Sequence, residues 1–377
     1  MKVRLGDYIA EYSVRNKANE DIPVYSVTNT QGFCQNYFGK EVASKDKSTY
    51  KIVPRGYFAY NPSRINVGSV DWQRNEDRVI VSPLYNVFSI SSRLKPQYLY
   101  YYLKSDAVLQ RIKAVAQGSV RDNLKLDMLA EFPIEIPSAD EQKKIIDTLD
   151  GVKKLFNLYS AELEKLDELV KARFVEMFGV YPENSKGWET GIIKDIVADV
   201  RYGSSRPAVD GGKYPYLRMN NITYGGELDL SDTKRIDIPD NELEKCTVRR
   251  GDVLFNRTNS KELVGKTCVY NRDEKMVLAG FVIRVRVTER ILPEFLSAFL
   301  NTDFSKQMLL GMCKAAIGQA NINAKEMQNI EIYLPPIELQ QEFVQFKAQV
   351  DKSKVAVQKA LDEAQLLFDS LMQKYFG

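Results

Sequence analysis

The residues best suited to chemistry sit in short polar loops that follow apolar strands. Tyr60-Asn61-Pro62-Ser63-Arg64-Ile65-Asn66-Val67-Gly68-Ser69 gathers an aromatic ring, a guanidinium and several amide or hydroxyl groups. Asn256-Arg257-Thr258-Asn259-Ser260-Lys261, running on to Gly265-Lys266, repeats that mixture. Arg201-Tyr202-Gly203-Ser204-Ser205-Arg206-Pro207, with Lys213 and Arg218 behind it, is a further basic-aromatic loop. Gln117-Gly118-Ser119-Val120-Arg121 and Gly318-Gln319-Ala320-Asn321 form another matched pair, each ahead of a terminal strand. Such side chains fit the edges of bases: arginine pairs twice with guanine, asparagine or glutamine with adenine, serine or threonine with either. Lysine and arginine also neutralise phosphates. The chemistry on offer is recognition of nucleic acid. One such loop alone reads equally well as a solvated turn; its presence in two copies argues for a functional surface.

Bond-making chemistry finds little support. The chain has no histidine, which excludes a histidine-based triad, a histidine general base and His-containing zinc sites. No P-loop and no GxGxxG occurs, so the usual phosphate cradles are missing. Asn61-Pro62 begins like the Asn/Asp-Pro-Pro-aromatic loop of adenine amino-methyltransferases, but the second proline and the aromatic do not follow. Cys34, Cys246, Cys268 and Cys313 lack CxxC spacing and read as reduced thiols of a cytoplasmic protein. No apolar run approaches a membrane span, and no signal peptide is visible behind Met1. A net charge of +3 does not by itself indicate nucleic acid.

The elements that must position these loops come twice. Pro23-Val24-Tyr25-Ser26-Val27-Thr28-Asn29 is echoed by Pro215-Tyr216-Leu217-Arg218-Met219-Asn220-Asn221, and Val53-Pro54-Arg55-Gly56 by Val248-Arg249-Arg250-Gly251. Ile136-Pro137 before Gln142 is echoed by Leu334-Pro335 before Gln340, and Phe178-Gly179 by Phe376-Gly377. Self-similarity at this period marks two copies of one unit. The pattern predicts mixed α/β domains over 1–139 and 180–337, with long helices over 140–179 and 338–377. Ile145, Leu149, Val152, Phe156, Tyr159, Leu163, Leu166 and Val170 repeat at steps of four and three, the seam of a coiled coil. Phe343, Val350, Val357, Leu361, Phe368 and Leu371 form the second seam, interrupted by Lys347 and Lys354, which predicts weaker packing in its first half. Each helix is expected to run roughly 57 Å. Antiparallel pairing buries both stripes; the alternative is that each helix packs on its own domain. Copy one begins almost at once with Leu5-Gly6-Asp7, whereas a turn-rich segment precedes copy two, so a cyclic arrangement with neighbouring chain ends is expected.

This doubled order resembles the specificity (S) subunit of type I restriction-modification enzymes. The resemblance rests on the two tandem units with their heptad helices ending in Phe-Gly, and on the Ile/Leu-Pro…Gln helix entries. It also rests on the stretches Asn61-Pro62-Ser63-Arg64-Ile65-Asn66-Val67-Gly68 and Arg257-Thr258-Asn259…Val264-Gly265-Lys266. It implies two target recognition domains, separated by an antiparallel coiled coil, that read a bipartite sequence in double-stranded DNA. It further implies two modification subunits and two restriction subunits as partners. S-adenosylmethionine, ATP and magnesium then belong to those partners, with no cofactor, metal or catalysis in this chain. Two other readings remain: a subunit serving a modification-only adenine methyltransferase, and a protein–protein adaptor without DNA.

Overall fold

Both repeats build the same four-stranded antiparallel sheet. Ile9–Glu11, Asn86–Ile90, Phe58–Tyr60 and Val70–Trp72 lie side by side in that order. Val197–Tyr202, Val282–Val287, Val253–Asn256 and Thr267–Val269 repeat it. The computed structural model describes residues 2–35, 46–116, 123–313 and 320–377. The chain divides into two units, one formed by residues up to Ser160 together with Lys359–Gly377, the other by Ala161–Gln358.

A second β layer differs between the copies. In the first unit it is a hairpin, Ser26–Thr28 with Gly32–Cys34, and a separate pair, Lys51–Pro54 with Arg78–Val81. In the second it is one sheet, ordered Lys234–Ile236, Tyr214–Leu217, Met276–Leu278, Thr247–Val248, with the middle two parallel. A single parallel bridge, Val24 to Ile80, marks the corresponding junction in the first unit. The apolar runs behind these strands are continuous because both faces are covered. Phe58 and Phe88 stack at 5.2 Å between centroids within the first core.

The opening strand of each repeat is zipped to its closing strand: Lys2–Arg4 to Pro133–Glu135, and Thr190–Ile192 to Glu331–Tyr333. Helices Pro96–Lys104 and Pro293–Leu300 both start on a proline, where the missing N–H costs nothing. A buried glutamine then fastens each long helix to its domain. Gln142 donates from Nε2 to the carbonyls of Arg93 and Pro137, each at 2.9 Å, and accepts the Lys95 N–H at 2.8 Å. Gln340 repeats this with Arg290, Pro335 and Leu292.

The two long helices, Ala139–Phe178 and Ile337–Phe376, are 40 residues each and pack together as an antiparallel coiled coil. Within the first unit Phe156 meets Phe368 edge-on at 6.4 Å. Within the second, Phe174 meets Phe343 at 5.2 Å and Arg173 pairs with Glu342 at 2.7 Å. Higher numbers on one helix meet lower numbers on the other, so the directions oppose. All the seam residues are buried or half-buried. Phe376 lies against Tyr98 in the first unit, whereas Phe178 lies against Phe295 in the second. Lys2 donates to the Gly377 carbonyl at 3.5 Å, so these two positions are neighbours.

Lys354 does not leave a gap in the seam. It bridges Asp167 on the facing helix and Glu227 in the domain, the latter at 2.9 Å. Burial works against its charge, but the two carboxylates prevail and raise its pKa above the ordinary lysine value.

Candidate nucleic-acid interface

The strand Val197–Tyr202 delivers the chain to a loop that is stitched down at its start. A side chain at Gly203 would collide with the carbonyls of Leu278 and Ala279, so only glycine lets the loop pass this close. Ser204 donates its N–H to Leu278 O at 2.7 Å, and Gly280 donates its N–H to Ser204 O at 2.7 Å. The Tyr216 hydroxyl lies 3.1 Å from Ser204 O and 3.0 Å from Arg206 O. Ser205 and Arg206 remain exposed on this fixed base.

A cleft of about 550 Å³ opens beside the loop, bordered by Ser204, Ser205, Arg206, Arg218, Arg257 and Phe281. Its arginines are oriented by neighbours. Arg206 forms two hydrogen bonds to Glu242, at 3.2 and 2.8 Å, and Arg218 meets Asp232 at 2.9 Å. The Arg257 guanidinium lies 4.9 Å from the Tyr202 ring centroid, a cation–π contact that steadies the planar fork. Tyr202 in turn accepts the Ala324 N–H at 2.9 Å. The Nε atoms of Arg218 and Arg257 are buried without a hydrogen-bond partner among the described residues. A concave, partly apolar site with three forked cations can grip a base edge or a phosphate.

The other basic residues of the second unit fall outside this cleft. Arg201 pairs with Asp199 at 2.9 Å, and the exposed Lys213 ammonium lies 5.0 Å from the Tyr214 ring. Thr258–Asn259 pairs with Ala320–Asn321, and the Thr258 hydroxyl donates to Asn321 Oδ1 at 3.0 Å. Lys261 borders a second depression of about 370 Å³ with Tyr224 and Lys306. Lys266 is turned inward: its ammonium donates to the carbonyls of Met219 at 3.0 Å and Ile222 at 2.5 Å, and burial lowers its pKa. It holds the fold together and cannot present its charge to a ligand in this conformation.

In the first unit the equivalent loop is built by Asn61, whose Oδ1 accepts the Ser63 N–H at 3.1 Å and hydroxyl at 2.9 Å. Arg64 is exposed and Asn66 half-buried on the 3-10 turn Ile65–Val67. Gly68 ends that turn at φ +85°, as Gly265 does at φ +81° in the other copy, a conformation other residues adopt only with strain. Tyr60 is fully buried; its hydroxyl donates to Leu124 O at 3.1 Å and accepts from Asn86 at 2.8 Å. It therefore belongs to the core and offers no polar atom to a ligand. Gln117, Ser119, Arg121 and Gln319 lie outside the described residues.

Phe281 and Leu84 carry no motif of their own and are singled out by position alone, whereas Tyr216 lies in the echoed stretch 215–221. Phe281 is 51% exposed and Leu84 79%. Among the described residues no helix is long and apolar enough to cross a membrane.

Comparison with known proteins places this geometry among relatives. The model of a family described as the type I restriction modification DNA specificity domain matches residues 5–168 and again 185–364. The type I restriction enzyme EcoKI specificity subunit of Escherichia coli K12 is 24% identical over 299 residues, 74% of this chain and 64% of that relative. The StySPI specificity subunit of Salmonella potsdam is 24% identical over 304 residues, 75% of this chain and 65% of the other. The chain thus spans a little under two thirds of the length of these relatives. A solved structure described as showing complex assembly and conformational transition of the type I R-M system aligns over 100% of this chain and 97% of its own, with TM-score 0.62 and 19% identity. The S subunit from M. genitalium aligns over 100% and 96%, with TM-score 0.51 and 14% identity. At these identities the two structures speak for the fold.

Proposed function

This chain belongs to the type I restriction modification DNA specificity domain family, and on that premise we propose that it reads a split sequence in duplex DNA for a restriction-modification enzyme. Residues 1–139 and 180–337 are the two target recognition domains, each addressing one half of the target through the major groove. The paired helices set the distance between the halves and dock two modification subunits. Two restriction subunits complete the enzyme. The methyl donor, ATP and magnesium belong to those partners, and this chain contributes recognition without catalysis, in the cytoplasm.

The observation that carries this reading is the cleft of the second unit, where Arg206, Arg218 and Arg257 converge on a fixed loop. Arginine forks held by a carboxylate or an aromatic face keep their planar geometry. That arrangement suits bidentate pairing with guanine better than a mobile lysine would. In the first unit the exposed Arg64 and the Asn61–Ser63 turn occupy the loop that matches the one carrying Arg257.

Exchanging residues 1–139 for those of a relative with another target tests the reading. Methylome sequencing of cells carrying the hybrid with its methyltransferase should show one half of the marked sequence changed and the other retained. A hybrid that still marks the original sequence in both halves would refute it. Binding to the target duplex in the presence of the methyltransferase should also weaken steeply with salt; no binding to the duplex at any salt favours an adaptor.

A further inference from the structure

The two exposed apolar tips, Leu84 and Phe281, occupy the same position of the same turn. In the first unit the Tyr85 N–H donates to Ser82 O at 3.0 Å, closing a β-turn with Leu84 third. In the second the Val282 N–H donates to Ala279 O at 2.9 Å, closing a β-turn with Phe281 third. Both turns lead into the inner strand of the shared sheet, Asn86–Ile90 or Val282–Val287. Gly, Asn, Asp and Ser are the usual residues there. One exposed leucine on a surface needs no explanation. Large apolar side chains at the corresponding turn position of both repeats are a different matter, because neither helps its core: Leu84 is 79% and Phe281 51% exposed.

The backbone beneath each tip is fixed. Lys51 donates its ammonium to Tyr85 O at 2.7 Å. Arg257 donates its N–H to Phe281 O at 3.0 Å, and Gly280 donates its N–H to Ser204 O at 2.7 Å. Phe281 also stands at the edge of the cleft that Arg206, Arg218 and Arg257 border. An apolar group beside three forked cations matches the major groove of DNA. There the thymine methyl is the apolar feature beside the hydrogen-bonding edges that arginine reads.

Resting on the reading just given, we propose that Phe281 and Leu84 are specificity-determining tips, each seated against a thymine C5 methyl in its own half of the target. The arginines and amides read hydrogen-bonding edges; the tips read the methyl group that those donors cannot sense. An apolar wedge driven between base pairs enters from the minor groove and does not suit a tip set among arginines that address base edges.

The test uses the full chain with its methyltransferase and duplexes bearing the sequence found by methylome sequencing. Each thymine is replaced in turn by deoxyuridine, which removes only the methyl. One thymine in each half should prove sensitive, its replacement weakening binding about fourfold, the weight of one buried methyl. Phe281→Ser should abolish that sensitivity in one half and leave it in the other; Leu84→Ser should do the converse. Unchanged melting of both variants confirms the fold, since the side chains are exposed. Indifference to every deoxyuridine, or undiminished sensitivity in the serine variants, overturns the proposal. So does a serine variant that loses its methyltransferase on purification while keeping the sequence preference, which assigns the tip to a protein contact. A wild-type complex that marks no split sequence overturns the functional reading itself, and this inference falls with it.

Discussion

A glutamine taken wholly out of water is tolerated only when its amide is fully used. Gln142 and Gln340 meet that condition with three hydrogen bonds each. Gln340→Leu leaves the Leu292 N–H and two carbonyls unpaired, a loss of about 2–4 kcal/mol. Gln142→Leu acts likewise at Lys95. The two tryptophans fall one per unit, Trp72 in the first and Trp188 in the second. Urea unfolding of single-tryptophan variants should show each substitution lowering the midpoint of its own unit. Burial pushes the Tyr102 and Tyr270 hydroxyls up to about 12. A folded-state pKa above the unfolded value means that their stabilisation is complete below pH 10 and is lost as pH rises from there through about 12. Tyrosinate absorbance should therefore climb together with alkaline unfolding, and Tyr270→Phe should make the loss of stability above pH 10 shallower.

The long helices owe their pairing to seams legible in the heptad steps, because a stripe of that period is buried most fully against another helix. Lys347 and Lys354 break the stripe, and the spacing alone implied looser packing. The structure answers with charge: Lys347 pairs with Asp351 at 2.6 Å, while Lys354 reaches Asp167 and Glu227. The carboxylates on Lys354 are more than half exposed, so water can take its place. Lys354→Met should consequently change the stability of the second unit by no more than about 1 kcal/mol, the methionine filling the seam. Denaturant titration followed at Trp188 measures this, and a loss of about 3 kcal/mol would show that the bridge is worth far more than an exposed ion pair.

At the scale of the molecule, the division between the units cuts both long helices: Ser160 and Ala161 fall on either side in one, Gln358 and Lys359 in the other. Each unit therefore contains part of both helices. On the proposed reading the helices measure the unread gap. Four residues added to each, a stutter that the seam absorbs by local unwinding, lengthen the path by about 6 Å, near two base pairs at 3.4 Å each. Methylome sequencing should find both half-sites intact and the gap longer; an active protein with an unaltered gap would count against the ruler.

Repetition, helix periodicity and the lack of histidine are properties of residue type at fixed spacing, so the sequence alone determined the doubled architecture, the coiled coil and the absence of histidine chemistry. The strands at Asn86–Ile90, Val253–Asn256 and Val282–Val287 were legible for the same reason. Which polar residues face outward was not, because that depends on partners distant in the chain. Tyr60 and Lys266 share loops with Arg64 and Arg257, yet Leu124 and Met219 draw the first two inward. Arg206, Arg218 and Arg257 come together only because one sheet sets 214–217 beside 276–278 while the other sets 197–202 and 253–256 on either side of 282–287. The matching turns under Leu84 and Phe281 were likewise decided by tertiary structure, since their sequences, Ser82-Pro83-Leu84-Tyr85 and Ala279-Gly280-Phe281-Val282, share no residue and only the backbone shows them to be one feature.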